Sequence, residues 1–255
     1  MRFLNALLAI SLFLALGGTA VADSLTPFQE KIKAAMAMDH RSAADRERDE
    51  NRDPLRALPF CRMRDDMKVI EFGPGAGWYT AILGPVLRDK GALYLAYRES
   101  WMTRLDDLLS LDGFQTTQKR PIDIDWNSDD RVFAVGDVDF GMTDADLALD
   151  IREYHNLDAA GAAKLNAAIF KALKPGGYYC VIDHTRRHME PKWSENRRRA
   201  DPVAVIKQVQ DAGFRFVDYS DMFFRPDDEL RYEVGRKTVK GNTDRFSLLF
   251  QKPES

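Results

Sequence analysis

This chain of 255 residues has only two cysteines and no large excess of charge of either sign. It also has no internal repeat, no low-complexity segment and no apolar run of comfortable membrane-spanning length. Each shortage excludes something. With two cysteines the fold must rest on a hydrophobic core, and an apolar content of 45% is enough for a sizeable one. A net charge of −3 leaves no global basic field, so no nucleic-acid partner is expected. No Gly-Lys-Ser/Thr follows the glycines, which removes a P-loop. No G-x-S-x-G elbow supplies a hydrolase nucleophile. No histidine pair at i,i+4 falls on a predicted helix, so no metal site is expected.

The N-terminus reads apart from the rest. Arg2 is followed by Phe3 to Leu16, where Asn5 and Ser11 are the only polar side chains. Gly17-Gly18-Thr19 breaks that run, and Ala20-Val21-Ala22 precedes Asp23. This is the layout of a secretory signal cleaved after Ala22, with no stable membrane span left behind. An uncleaved anchor and a misread apolar helix are the alternatives. Cleavage takes the net charge from −3 to −4. Export implies an oxidising compartment. The reading favours two unpaired, buried thiols at Cys61 and Cys180 over a disulfide between them.

Residues 23–58 read as a helical extension, with a helix from Leu25 to Met38. The stretch from His40 to Pro54 mixes charges of both signs, the pattern of a solvated helix; a lid over a ligand site is the alternative. From residue 59 strands and helices alternate. Strands are expected at Lys68–Phe72, Ala92–Tyr97, Arg131–Val135, Asp146–Asp150, Tyr178–Asp183, Phe214–Tyr219 and Arg245–Gln251. Helices are expected at Trp78–Leu87, Trp101–Leu109, Ala159–Leu173 and, after the N-cap Asp201 and Pro202, up to Ala212. Alternation of this kind argues a mostly parallel sheet covered on both faces. The last two strands lack a helix between them and can pair antiparallel.

The most informative stretch is Val69-Ile70-Glu71-Phe72-Gly73-Pro74-Gly75-Ala76-Gly77-Trp78-Tyr79-Thr80. A strand runs into three alternate glycines and then a helix. Glycines let backbone approach a ligand closely. The dinucleotide fingerprint G-x-G-x-x-G would need a small residue where Trp78 stands. What remains is E-x-G-x-G-x-G. A Gly-rich turn with no ligand is the bland alternative.

On this motif the chain resembles the class I S-adenosylmethionine (SAM) dependent methyltransferases. Glu-Tyr-His-Asn-Leu at 153–157, Leu-Lys-Pro-Gly-Gly-Tyr-Tyr-Cys-Val-Ile-Asp-His at 173–184 and Asp-Ala-Gly-Phe at 211–214 extend the likeness to exported, periplasmic members. The resemblance spans roughly residues 60–252. It implies an α/β Rossmann-like fold with a seven-stranded sheet, one antiparallel terminal strand and helices on both faces. It also implies SAM as cofactor and a small-molecule methyl acceptor.

The resemblance places the cofactor at Glu71, Gly73, Gly75 and Gly77. A ribose-binding acid is usual at the end of strand two, but Tyr97 stands there; Glu99 is the expected substitute. Asp137, after the third expected strand, would meet the adenine amine. Tyr154 and His155, after strand four, face the transferred methyl, and His155 is a candidate base. His184, beside Asp183, is the third catalytic candidate. Each has a structural alternative: a satisfied buried side chain for the histidines, a turn residue for Asp137. The basic run Arg186, Arg187, Lys192, Arg197, Arg198 and Arg199 reads first as a solvated connection and second as an anion-recognising segment. Asp227, Asp228, Glu229 and Arg231 fall where the resembled enzymes place substrate contacts. Two other function classes stay open. One is an exported, non-catalytic binding protein on this scaffold; the other is a hydrolase using Asp183 and His184.

Overall fold

The computed structural model describes residues 24–254, so the signal segment lies outside the described residues. Four short helices come first: α1 (Pro27–Met36), α2 (Ala43–Arg46), α3 (Asp49–Arg52) and α4 (Pro54–Phe60). A capping box of Thr26 with Gln29 and a proline at the first helical position start α1. Then follow β1 (Lys68–Phe72), α5 (Thr80–Leu87), β2 (Ala92–Tyr97), α6 (Glu99–Met102) and α7 (Asp106–Leu109). The chain continues with β3 (Thr117–Pro121), β4 (Ile124–Asn127), β5 (Val132–Val135), β6 (Ala145–Ile151) and α8 (Ala159–Ala172). It closes with β7 (Leu173–His184), α9 (Pro202–Asp211), β8 (Arg215–Ser220) and β9 (Arg245–Gln251).

Seven strands form one sheet in the order β3-β2-β1-β6-β7-β9-β8. β9 runs antiparallel to both neighbours and the other pairings are parallel. Successive side chains of a strand point to opposite faces. Val69, Leu147, Leu149 and Cys180 pack on one face with α1, α4 and α5. Ile70, Ala148, Tyr179 and Val181 pack on the other with α8 and α9. The chain order reverses at β1, between β2 and β6. Ligands of open α/β sheets sit at the carboxyl ends of the strands on either side of such a reversal.

Three expectations need correction. The third parallel strand is Thr117–Pro121, not Arg131–Val135. The latter pairs antiparallel with β4 in a separate hairpin. The sequence Thr-Gln-Lys-Arg-Pro carries no apolar alternation because β3 is an edge strand, paired on one side only.

The second correction concerns the thiols: Cys61 and Cys180 form a disulfide, with Cα atoms 5.4 Å apart. Cys180 points to the face on which α4 lies, and Cys61 caps the end of α4. The third concerns the charged stretch, which is not one solvated helix but two short ones, exposed in part and anchored by Arg41 and Arg52. Arg41 is buried, donates to the Met36 carbonyl at 2.9 Å and forks onto Asp49. Two guanidiniums lie over the Trp78 ring, Arg52 4.6 Å and Arg41 5.1 Å from its centroid. Its indole N–H donates to the Asp45 carbonyl at 2.9 Å. The segment is therefore clamped over the start of the glycine-rich turn by cation–π contacts.

Candidate active site

The turn after β1 passes through three left-handed glycines, Gly73 (φ +64°), Gly75 (φ +57°) and Gly77 (φ +81°). L-residues with a side chain avoid this region. A Cβ at Gly73 would stand 2.3 Å from Cγ of Glu153, whereas one at Gly75 would meet nothing within 4 Å. Gly73 therefore lets Glu153 pack against the turn, and Gly75 leaves the adjoining space open.

That space is a cavity of about 260 Å³ at the carboxyl ends of β1, β6 and β7. Glu71, Gly73, Gly75, His155, His184 and Arg52 are among its walls. It shares residues with three neighbours. One, of about 430 Å³, is walled by Tyr97, Trp101, Trp126 and Phe133, and meets the first at Gly75 and Glu153. A second, of about 810 Å³, opens between the β4–β5 hairpin and residues 192–198 and meets the first at His155 and Asn156. The third, of about 440 Å³, is rich in arginine.

His155 and Asp183 form the best-defined chemical pair. The imidazole Nδ1 lies 2.8 Å from one Asp183 oxygen, and the same carboxylate accepts the backbone N–H of His155 (2.8 Å) and of His184 (2.7 Å). A carboxylate only accepts, so Nδ1 carries the proton and Nε2 of the neutral ring keeps its lone pair. His155 walls both the small cavity and the largest one.

His184 is placed differently. Its Nε2 accepts from Arg152 Nε at 3.0 Å, and its Nδ1–H donates to the Thr243 hydroxyl at 2.8 Å. Burial, reinforced by the Arg152 charge, drives its pKa well below the ordinary imidazole range. Both ring nitrogens are engaged, so its geometry is that of a holder of Arg152 rather than a base. Tyr154 turns away from the cavities. Its hydroxyl donates to Gln208 at 3.1 Å and accepts from Asn166 at 2.9 Å, tying α8 to α9.

The cofactor candidates divide in the same way. Glu71 walls the small cavity and accepts from the Thr80 hydroxyl at 2.7 Å. Burial pushes its pKa up to about 7, against the pull of Thr80 and Arg52. Gly77 faces Leu105 and Leu108 instead of the cavity. Glu99 opens α6 and is exposed, and Arg98 beside it pairs with Asp125. Asp137 is exposed as well, in the connection after β5. It follows the hairpin strand β5 and not the parallel strand β3, whose following residues are Ile122 and Asp123.

Three groups in the cavities were not singled out from sequence. Glu153 receives the Tyr97 hydroxyl at 3.3 Å and the Asn156 amide at 3.0 Å, and burial lifts its pKa to about 7. A carboxylate therefore does stand at the end of β2, delivered from the end of β6. The aromatic walls Trp101, Trp126 and Phe133 and the arginines Arg52, Arg152 and Arg245 are the others. Of the basic run, Arg199 is spent on a buried, forked pair with Asp228. Lys192 donates to the His155 carbonyl at 2.9 Å, and Arg198 lines the cavities. Asp228, in the β8–β9 insert, is thus a structural anchor.

No protein-family model and no curated protein matches the sequence. Solved structures do. A SAM-dependent methyltransferase from Aquifex aeolicus aligns over 88% of this chain and 97% of its own, at 17% identity and a TM-score of 0.56. The [4+2]-cyclase SpnF aligns over 86% of each chain, at 15% identity and a TM-score of 0.55. Human N-acetylserotonin methyltransferase, solved with SAM, aligns over 89% of this chain and 56% of its own, at 14% identity and a TM-score of 0.51. Sheet order, the reversal at β1 and these likenesses agree: the chain has the fold of the class I SAM-dependent methyltransferases.

Proposed function

We propose that this chain is an exported SAM-dependent methyltransferase acting on a small molecule through a hydroxyl or amine. The observation that carries the reading is the Asp183–His155 pair, with His155 in the walls of both the cavity under the glycine turn and the largest of the four openings described.

The residues present fit the cofactor. Gly75 leaves room for close backbone approach. Tyr97, Trp101, Trp126 and Phe133 offer flat apolar walls of the kind that take a purine. Glu153, beside Tyr97, supplies the acceptor oxygens that sugar hydroxyls need. Arg52, over Trp78, offers a partner for a carboxylate. When bound, SAM supplies an electrophilic methyl group on its sulfonium.

His155 takes the proton of the attacking hydroxyl or amine at Nε2, and Asp183 stabilises the imidazolium that results. The clamped segment 41–52 and the β4–β5 hairpin narrow the space and restrict how an acceptor enters, so that positioning contributes to the rate. Export is supported by the signal-like first 22 residues and by the Cys61–Cys180 disulfide, since such bonds persist in oxidising compartments. Among the described residues no helix is long and apolar enough to cross a membrane.

One observation favours a second reading, a binding protein without catalysis. The usual acid of β2 is replaced by Tyr97, and a fold does not fix a chemistry; a [4+2]-cyclase has this same fold. Calorimetry of residues 23–255 with SAM and S-adenosylhomocysteine separates the two. The enzyme reading expects micromolar binding that Gly75→Arg removes, and justifies an acceptor screen. Absence of binding to the wild-type chain overturns it in favour of the second.

A further inference from the structure

The arginine-rich cavity has no counterpart in the chemistry above. Six cations line it: Arg48, Arg52, Arg152, Arg198, Lys240 and Arg245. Among the described residues no aspartate or glutamate does. Two of the six are balanced, Arg48 by Asp45 and Arg198 by Glu233. Arg52, Arg152 and Arg245 form no ion pair among the described residues. Asp183, Glu153 and Asp244 are near enough to be felt but not to pair.

Arg245 is buried, and Arg52 and Arg152 are half-buried. Arg245 is 7% exposed, packs over the Phe223 ring, donates through one terminal nitrogen to the Asn51 carbonyl and has a buried Nε with no hydrogen-bond partner among the described residues. Arg152 is fixed through Nε by His184, which leaves its two terminal nitrogens available. Arg52 sits on the Trp78 face. Burial, together with mutual repulsion, lowers all three pKa values, Arg52 to about 9 and Arg245 to about 10. Collecting buried like charges is costly unless a counter-charge arrives. The backbone repeats the message. Arg152 (φ +70°) and Arg198 (φ +59°) both hold left-handed conformations that disfavour side chains, and both face this cavity.

The cofactor proposed above does not supply that counter-charge. Its methionine end carries one carboxylate and one ammonium, and its sulfonium adds a positive charge. One arginine satisfies the carboxylate, and the remaining field stays positive. An oxyanion is the ligand that forked guanidinium donors match.

We infer that Arg152 and Arg245, with Arg52 at the boundary, form a subsite for a carboxylate or phosphate group carried by the methyl acceptor. The acceptor is accordingly an anionic small molecule. Its charged group sits in the arginine cavity and its body reaches past His184 into the cavity that holds His155. The assignment to an acceptor rests on the methyltransferase reading; the anion site itself does not.

The test is calorimetry of residues 23–255 with inorganic phosphate and, separately, with succinate, each with and without saturating S-adenosylhomocysteine. The expected result is saturable binding of at least one probe that persists beside S-adenosylhomocysteine. It should weaken at least tenfold in Arg245→Gln and in Arg152→Gln, weaken less in Arg245→Lys, which keeps the charge and loses the fork, and weaken as chloride rises. Thermal melts show whether each variant is folded. If Arg245→Gln does not fold, Arg152→Gln carries the test. The preference between the two probes separates a phosphate from a carboxylate. No saturable binding of either probe to a chain that binds S-adenosylhomocysteine overturns the inference and leaves the methyltransferase reading intact. Displacement of the probe by S-adenosylhomocysteine also overturns it, since the arginines would then serve the cofactor's own carboxylate. Probe binding by a chain that ignores S-adenosylhomocysteine removes the methyltransferase reading, and the acceptor with it, while upholding the anion site.

Discussion

Glu71 offers a sharp test of the site's electrostatics, because it is 6% exposed and, among the described residues, its only side-chain partner is the Thr80 hydroxyl. Burial holds its pKa at about 7 in the fold against an ordinary 4.5. The folded protein therefore keeps a proton between those values that the unfolded chain has lost. Stability from this group is fully present below pH 4.5 and is lost as pH rises through 7. At roughly 1.4 kcal/mol per pH unit, the loss amounts to about 3 kcal/mol. Glu71→Gln cannot titrate. Its amide can still accept from Thr80, and its unpaired N–H₂ adds a pH-independent cost of about 1 kcal/mol. The stability difference, variant minus wild type, should accordingly rise by about 3 kcal/mol from pH 4.5 to pH 8, changing sign on the way. Urea denaturation of residues 23–255 at four pH values, disulfide intact, measures it; other titrating groups cancel in the difference. A flat difference across that range would refute the claim that Glu71 is desolvated and unpaired in charge.

Other perturbations follow from the same geometry. Gly75→Arg should melt within a few degrees of wild type, since a left-handed residue there costs about 1–2 kcal/mol, yet lose S-adenosylhomocysteine binding at least a hundredfold in calorimetry. Asp183→Asn places an amide N–H₂ among three donors, the N–H groups of residues 155 and 184 and the His155 ring. It should cost about 2–4 kcal/mol in urea, and unchanged stability would contradict the bonding described. Once an acceptor is known, His155→Gln should lower kcat by about 10²–10⁴-fold while cofactor affinity is kept. Replacing Cys61 and Cys180 by alanine opens a loop of sequence separation 119 and should destabilise by about 5 kcal/mol or somewhat less. A melt insensitive to reductant in the wild type would refute that.

Much of the scaffold was legible because its strands are buried on both faces or closed by strong local signals. Lys68–Phe72, Ala92–Tyr97 and Arg245–Gln251 have the bounds read from sequence, and Asp201 caps α9 through the N–H groups of residues 203 and 204. Strand β3 was not legible. Its side chains are polar, and Val-Phe-Ala-Val at 132–135 offered a more strand-like pattern nearby. Asp137 follows that hairpin strand, which is why a cofactor role was expected of it. Arg41 and Arg52 were hidden for another reason. Sequence shows a guanidinium's charge but not the indole face it covers, so a clamp read as a solvated run. Glu153 sits in the same short run as Tyr154 and His155. Only the pairing of β1 with β6 shows that it reaches the end of β2. The Asp183–His155 contact likewise joins residues 28 apart through neighbouring strands.

The Cys61–Cys180 bond turns the middle of the chain into a closed covalent ring. Gly73, Tyr97, Glu153 and His155 lie inside that ring in sequence, whereas Arg52, His184, Arg198 and Arg245 lie on its two tails. The exposed tip of the β4–β5 hairpin, residues 128–131, belongs to the ring. A protease that cuts there opens the ring without shedding a fragment. The nicked protein migrates as one species until a reductant is added and as two pieces afterwards. The glycine turn and the strand that carries the Asp183 carboxylate thus stay on one molecule through a backbone break that would separate them in a reducing compartment.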